Sequence, residues 1–173
     1  KVEDVVRYAF LKGVHILGKG SWGMKPASSL GWADWSRKKY EGQHGGTYTF
    51  GTTVAEVEVD PETGKVKVLD IVQAYDCGRP INPMAVEGQW QGIAVQMLGE
   101  TLSEQLRWDP RSGDLITKSF LDYKYPGALD VPPITTIICQ EGVDPDGPYG
   151  AKEAGINGGV STSAAIINAI HDA

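Results

Sequence analysis

The chain has 173 residues, enough for one domain with a sizeable core, and sets 16 basic against 22 acidic side chains for a net charge of −6. The charges are spread without long runs of one sign, which argues against broad electrostatic binding to nucleic acid or to an anionic membrane. No stretch reaches the ~18 consecutive apolar residues of a membrane span, and the N-terminus lacks a signal-peptide core, so a soluble chain serving small-molecule chemistry or a protein partner is expected.

A start at Lys1 rather than methionine reads as a processed chain or a piece of a longer one. Cys77 and Cys139 are too far apart for a CxxC site, and His15, His44 and His171 show no ligand spacing. No protein-ligated zinc or iron-sulfur cluster is expected. Free thiols suit a reducing compartment, and a cytoplasmic location follows as an expectation.

In chain order, VEDVVRYAFL at 2–11 places Val2, Val5, Val6, Ala9 and Phe10 at helical spacing, with Gly13 as a stop, and predicts a short packing helix. Gly18, Gly20 and Gly23 then satisfy GxGxxG. A dinucleotide fingerprint needs a helix to start at the last glycines, whereas Pro26 and Gly31 break any such helix, so a loop is expected. Residues 24–46 mix Trp32, Trp35 and Tyr40 with Arg37, Lys38 and Lys39, and read as a surface excursion pinned by tryptophans. The composition would also suit a substrate entrance or a partner contact. Residues 1–46 are therefore read as a helix and loop region preceding the main portion, 47–173.

From Thr47 the period changes to two. Ala55, Val57 and Val59 alternate with Glu56 and Glu58, DPETG makes a turn, and KVKVLDIVQAYD resumes as a second strand, giving a β-hairpin. DCGRPINP then forces an irregular connection at the strand's C-terminal end. A helix follows over about 85–106, with an apolar face built on Val86, Trp90, Ile93 and Met97. Gln89, Gly92, Gln96 and Gly99 form a second face of amides and bare backbone, open to a ligand or to another helix. DPRSGD is a turn, and the proline-broken segment after it uses Phe120, Tyr123 and Tyr125 as anchors. ITTIICQE reads as a buried strand. Asp144 and Asp146 of DPDG lack the remaining ligands of a calcium loop, and an Asx-type turn is the better account.

The chain ends in GPYGAKEAGINGGVSTSAAIINAI, 147–170, glycines around one carboxylate and then a small-residue helix. It reads either as an anion cradle with a base beside it or as a glycine-rich turn capping a core helix. The fold class expected is α+β, a β-hairpin and mixed sheet packed with helices.

Three segments in this order, VAEVEVDPETGKV, DCGRPINPMAVEGQWQGIAVQMLGETLSE and GPYGAKEAG, resemble the C-terminal part of the molybdenum-binding subunit of the xanthine dehydrogenase and aldehyde oxidase family. That family includes a hydroxybenzoyl-coenzyme A reductase branch. The resemblance implies molybdenum-molybdopterin, alone or as a dinucleotide, and hydroxylation of an N-heterocycle or aldehyde with water-derived oxygen. Position by position it implies Glu153 as catalytic base, Tyr149, Gly150, Ala151 and Lys152 on backbone bordering the pterin, and Gln96 against the cofactor. From the cysteine and histidine spacing no metal-ligating side chain is expected. Burial beside the cofactor would raise the Glu153 pKa, and Lys152 would oppose that if it pointed inward.

Met97 stands where the family has glycine, and the reductase branch can lack the glutamine, so Gln96 leans to a hydroxylase. The family's upstream glycine-glutamine-glycine motif has no counterpart, and EGQHGG at 41–46 is a superficial echo. The chain thus carries half a site. The implied partners are the remaining molybdenum-subunit portion, iron-sulfur and FAD modules and a small-molecule substrate, with no nucleic acid or membrane. The alternatives are a hydroxybenzoyl-coenzyme A reductase-like enzyme and a non-catalytic assembly subunit.

Overall fold

The computed structural model describes residues 1–15, 17–21, 47–140, 142–145 and 147–173. The tryptophan-rich stretch with EGQHGG, the last glycine of the GxGxxG match, Gly23, and Asp146 of DPDG lie outside the described residues.

Helix α1, Val2–Lys12, forms as its periodicity predicts and ends at Gly13, whose N–H returns to the Ala9 and Phe10 carbonyls. Of its apolar residues only Ala9 is buried, while Val2, Val5, Val6 and Phe10 are exposed. The expected packing helix therefore has an uncovered apolar face among the described residues.

The hairpin is β1, Gly51–Val59, paired antiparallel with β2, Val66–Asp76. Its first strand begins four residues after Thr47, where cross-strand pairing starts with Gly51 opposite Tyr75. Asp60 closes the turn by accepting hydrogen bonds from the Glu62 N–H (2.9 Å) and the Thr63 hydroxyl (2.6 Å). These bonds, the Thr63 hydroxyl first, hold the Asp60 carboxyl below its ordinary pKa. Glu56 and Glu58 face solvent as the alternation requires, and a register shift falls between Glu56 and Val57.

Helix α2 runs Pro83–Leu102, so it starts two residues before and stops four residues short of the expected span. Asn82 caps it, accepting from the Ala85 N–H, and Pro83 fills the first position, which needs no donor. At the other end Ser103 leaves the helix and its hydroxyl donates to the Lys124 carbonyl (2.8 Å). Strand β3, Ile134–Cys139, pairs parallel with β2 and completes a mixed sheet in the order β1-β2-β3. It is an edge strand and not a buried one, because Thr135, Ile137 and Cys139 point away from the helices and are exposed. Helix α3, Asn157–Asp172, closes the chain.

Both α2 and α3 lie on one face of the sheet. Val68, Ile71, Leu98 and Ile166 form one buried cluster, and Tyr75, Cys77, Val86 and Trp90 a second nearer the end of β2. The helices approach closely because α3 begins with two glycines. A Cβ on Gly158 would sit 2.6 Å from Ile93 Cγ2, and one on Gly159 2.9 Å from Ile93 Cγ1. The Trp90 indole N–H donates to Asn157 Oδ1 (3.0 Å), which fixes the start of α3 against α2. Phe120 and Tyr125 are exposed, and the segment they occupy is held through Tyr123, whose hydroxyl donates to Glu104. The fold is α+β, as expected.

Candidate functional site

The end of β2 and the glycine loop before α3 are stitched together by backbone. Gly78 pairs with Ala151 in an antiparallel bridge, the Lys152 N–H donates to the Cys77 carbonyl (2.8 Å) and the Arg79 N–H to the Gly150 carbonyl (2.8 Å). Gly78 has φ +62°, and a Cβ there would collide with the Gly150 carbonyl, so no larger residue admits this approach. Two of the segments that carry the resemblance thus form one structure.

A buried ion pair reinforces the seam. Lys152 Nζ lies 2.5 Å from Asp76 Oδ2, with the two side chains only 8% and 9% exposed. Asp76 Oδ1 accepts the Gly78 N–H (2.7 Å), and the same ammonium donates to the Tyr48 carbonyl (3.1 Å). Each charge therefore has a second partner, as a buried pair requires.

Beside this seam runs an open groove of about 390 Å³, lined by Cys77, Arg79, Pro80, Ile81, Asn82, Ala85, Val86, Gln89, Ala151, Lys152, Ala154 and Gly155. Its floor is mostly apolar. Burial, then the neighbouring Asp76 charge, push the Cys77 thiol up from its ordinary pKa, so it stays protonated at neutral pH. Arg79 is exposed, and its guanidinium has no hydrogen bond or ion pair with the described residues. With Lys152 neutralised by Asp76, Arg79 is the uncompensated cation of the groove among the described residues.

The expected site residues divide between this groove and its surroundings. Ala151 and Lys152 line it, the Gly150 carbonyl accepts from the backbone of Arg79 in its lining, and Tyr149 does not line it and is 83% exposed. Tyr149 has φ +57° and ψ 17°, and it is the one non-glycine residue with positive φ among the described residues. Such backbone costs ~1–3 kcal/mol. Glu153 is exposed and points at the start of α3. Its carboxylate accepts the N–H groups of Gly155, Ile156 (2.7 Å) and Asn157 (3.4 Å). Lys152 does point inward, but its ammonium is engaged by Asp76.

Gln96 is exposed on α2, about two turns beyond Gln89, and does not line the groove. The amide face is divided, because Gly92 has open space beside it whereas Gly99 is packed against Pro126 and Glu104. Asp76 and Arg79 have no place among the expected site residues. Their signal was an acid ending an apolar strand directly before Cys-Gly-Arg. No group of three or more His, Cys, Asp or Glu able to hold a metal occurs among the described residues.

A family profile described as a molybdopterin cofactor-binding domain matches residues 1–132. The chain belongs to this family. The match ends before β3 and the glycine loop. Among relatives of the family, the nicotine 6-hydroxylase large subunit of Paenarthrobacter nicotinovorans is 45% identical over 117 residues, covering 68% of this chain and 14% of its own length. The 6-hydroxypseudooxynicotine dehydrogenase complex subunit gamma of the same organism is 38% identical over 126 residues, covering 73% and 16%. The crystal structure of the aldehyde oxidoreductase from Desulfovibrio desulfuricans superposes with a TM-score of 0.69 at 30% identity, over 78% of this chain and 14% of that one. The chain thus spans about one-sixth of the length of these molybdopterin-family relatives.

The residues present fit one side of such a cofactor. An apolar groove with, among the described residues, a single uncompensated guanidinium suits a planar ring system that carries an anionic group.

Proposed function

We propose that this chain is one portion of a molybdenum hydroxylase, with residues 47–173 forming one wall of the molybdopterin site and residues 1–46 preceding it. The observation that carries this reading is the seam of Cys77–Arg79 with Gly150–Lys152 beside an open, mostly apolar groove, in a chain of the molybdopterin-binding family. The names of the relatives support an N-heterocycle as substrate class. The cofactor, with or without a nucleotide, would supply the redox chemistry. Arg79 would meet its anionic group, the backbone of 149–152 would border it, and Gln96 would belong to a surface completed by another portion. The remaining molybdenum-subunit portion and the iron-sulfur and FAD modules would be supplied in a cytoplasmic complex. Among the described residues no helix is long and apolar enough to cross a membrane.

Within this reading Glu153 is the proposed proton acceptor, and its geometry sets a condition. As a base the carboxylate takes the proton on the lone pair that the N–H groups of Gly155, Ile156 and Asn157 leave open, or in a rotamer that gives those groups up. Those hydrogen bonds favour a second reading, in which Glu153 is the cap of α3 and sets the loop without touching substrate. Glu153→Gln discriminates, because its amide oxygen still accepts from the helix and its nitrogen cannot take a proton. In the native complex the base reading predicts normal cofactor content with turnover lowered at least ~100-fold. Turnover within a few fold of wild type assigns the residue to the cap.

A further inference from the structure

Strand β2 is longer than the strand beside it. β3 pairs only with its second half, Ile71 to Asp76, and the ladder starts where the Ile71 N–H donates to the Pro133 carbonyl (3.1 Å). Pro132 and Pro133 have no N–H with which to extend it, so among the described residues the first half of β2 is an open edge. The turn fixes which groups that edge presents. The Asp60 N–H donates to the Lys65 carbonyl (2.9 Å), so the backbone of Lys65 faces β1 and that of Val66 and Val68 faces away from it. No described residue takes up the N–H and C=O groups of Val66 and Val68 on that side.

An open cavity of about 790 Å³ runs along this edge. Residues 65–69 all line it, and consecutive strand residues, whose side chains alternate between faces, share one cavity only along the strand's edge. Its far walls are Leu98 and Leu102 of α2 and the proline-rich segment after Lys124. Val68 belongs to the core cluster with Leu98, so Lys65 and Lys67 turn to the opposite face. Both are exposed and neither forms an ion pair among the described residues, although Glu58 stands opposite Lys67 on β1. Lys124 adds a third cation to the lining, whose one acid, Asp130, already accepts the Gly127 N–H (2.8 Å).

Unpaired backbone groups at two-residue spacing are matched by another strand, and the lysines select its charge. Like charges disfavour a second copy of this chain. They also disfavour residues 22–46, where Lys25, Arg37, Lys38 and Lys39 outnumber Asp34 and Glu41. Resting on the reading of this chain as one portion of an assembly, we propose that the open edge of β2 receives an extended peptide segment from outside residues 1–173. The segment adds as a strand, with apolar side chains against Leu98 and Leu102 alternating with acidic ones against Lys65 and Lys67. This edge lies at the start of β2, ~30 Å from the groove at its end, and serves assembly.

The test uses the native complex purified through this chain. Zero-length carbodiimide coupling and mass spectrometry should join Lys65 or Lys67 to an aspartate or glutamate outside residues 1–173. Hydrogen exchange should find the Val66 and Val68 amides protected to within ~10-fold of Ile71. The double variant Lys65→Glu, Lys67→Glu should speed exchange at Val66 and Val68 at least ~10-fold and leave Ile71 unchanged. If the reversal unfolds the sheet, seen as fast exchange at Ile71 also, Lys65→Gln with Lys67→Gln removes the charge without repulsion and decides by the same readout. Unprotected Val66 and Val68 in the wild-type complex overturn the proposal. So does protection that neither variant changes, protection with no coupling to a carboxylate, or coupling only to residues 22–46 or to a second, isotopically labelled copy. A native preparation holding no polypeptide beyond residues 1–173 would refute both the proposal and the reading of this chain as a portion.

Discussion

At the scale of single residues, the charges near the groove are sorted by what they bind. Lys152 lies against the groove, while its ammonium is turned into Asp76, so among the described residues the cation left at the groove is Arg79. Glycine spacing made the loop visible in the sequence, but it could not show which way Lys152 pointed, because that depends on an acid 76 positions away. Cys77 is a second case. It is 2% exposed and its thiol pKa is raised, first by burial and then by the Asp76 charge. It should resist alkylation in the native protein at neutral pH and react only on unfolding, as mass spectrometry of iodoacetamide-treated protein would record. The raised folded pKa also fixes a sign. The contribution is constant below the ordinary value of 9.0 and is lost as pH rises above it, because the unfolded thiol ionises first. Rapid native labelling of Cys77 would contradict the burial described.

At the scale of elements, the sequence is most legible where one local rule acts alone. Alternating Glu and Val at 56–59 and the Asp60 turn announce the hairpin, and Gly13 announces the end of α1. The limits of α2 were harder. Asn82 and Pro83 are start signals that sit inside an irregular-looking DCGRPINP, and the stop at Leu102 depends on Ser103 reaching the Lys124 carbonyl. Strand β3 looked buried from its isoleucines, yet edge placement leaves one face of it open.

The element that matters most for the site is the seam between β2 and the glycine loop. Asp76→Asn keeps an acceptor for the Gly78 N–H but leaves the Lys152 ammonium buried beside a neutral group, a change of ~3–5 kcal/mol. Hydrogen exchange of residues 148–156 should accelerate strongly in that variant. Adding Lys152→Met removes the stranded charge and should restore most of the protection. Equal exchange in all three proteins would show that the pair does not hold the loop.

At the scale of the whole molecule, the surfaces left open are those a partial site would leave. The apolar side chains of α1, Val54 and Ile137 on the outer face of the sheet, the Gly92 stretch of α2 and the groove beside Arg79 are all exposed. Their exposure accords with a chain spanning about one-sixth of its relatives and with the proposal that another portion completes the site. Nothing in local sequence reports this, because a buried interface and a core strand use the same residues. The central claim is that this chain walls a molybdopterin site, and its most direct test is the molybdenum and pterin content of the native complex purified through this chain. Elemental analysis and pterin fluorescence should give both in stoichiometric amount, in one peak on size exclusion, and neither should remain on the chain expressed alone. An intact native complex that contains neither would contradict the account.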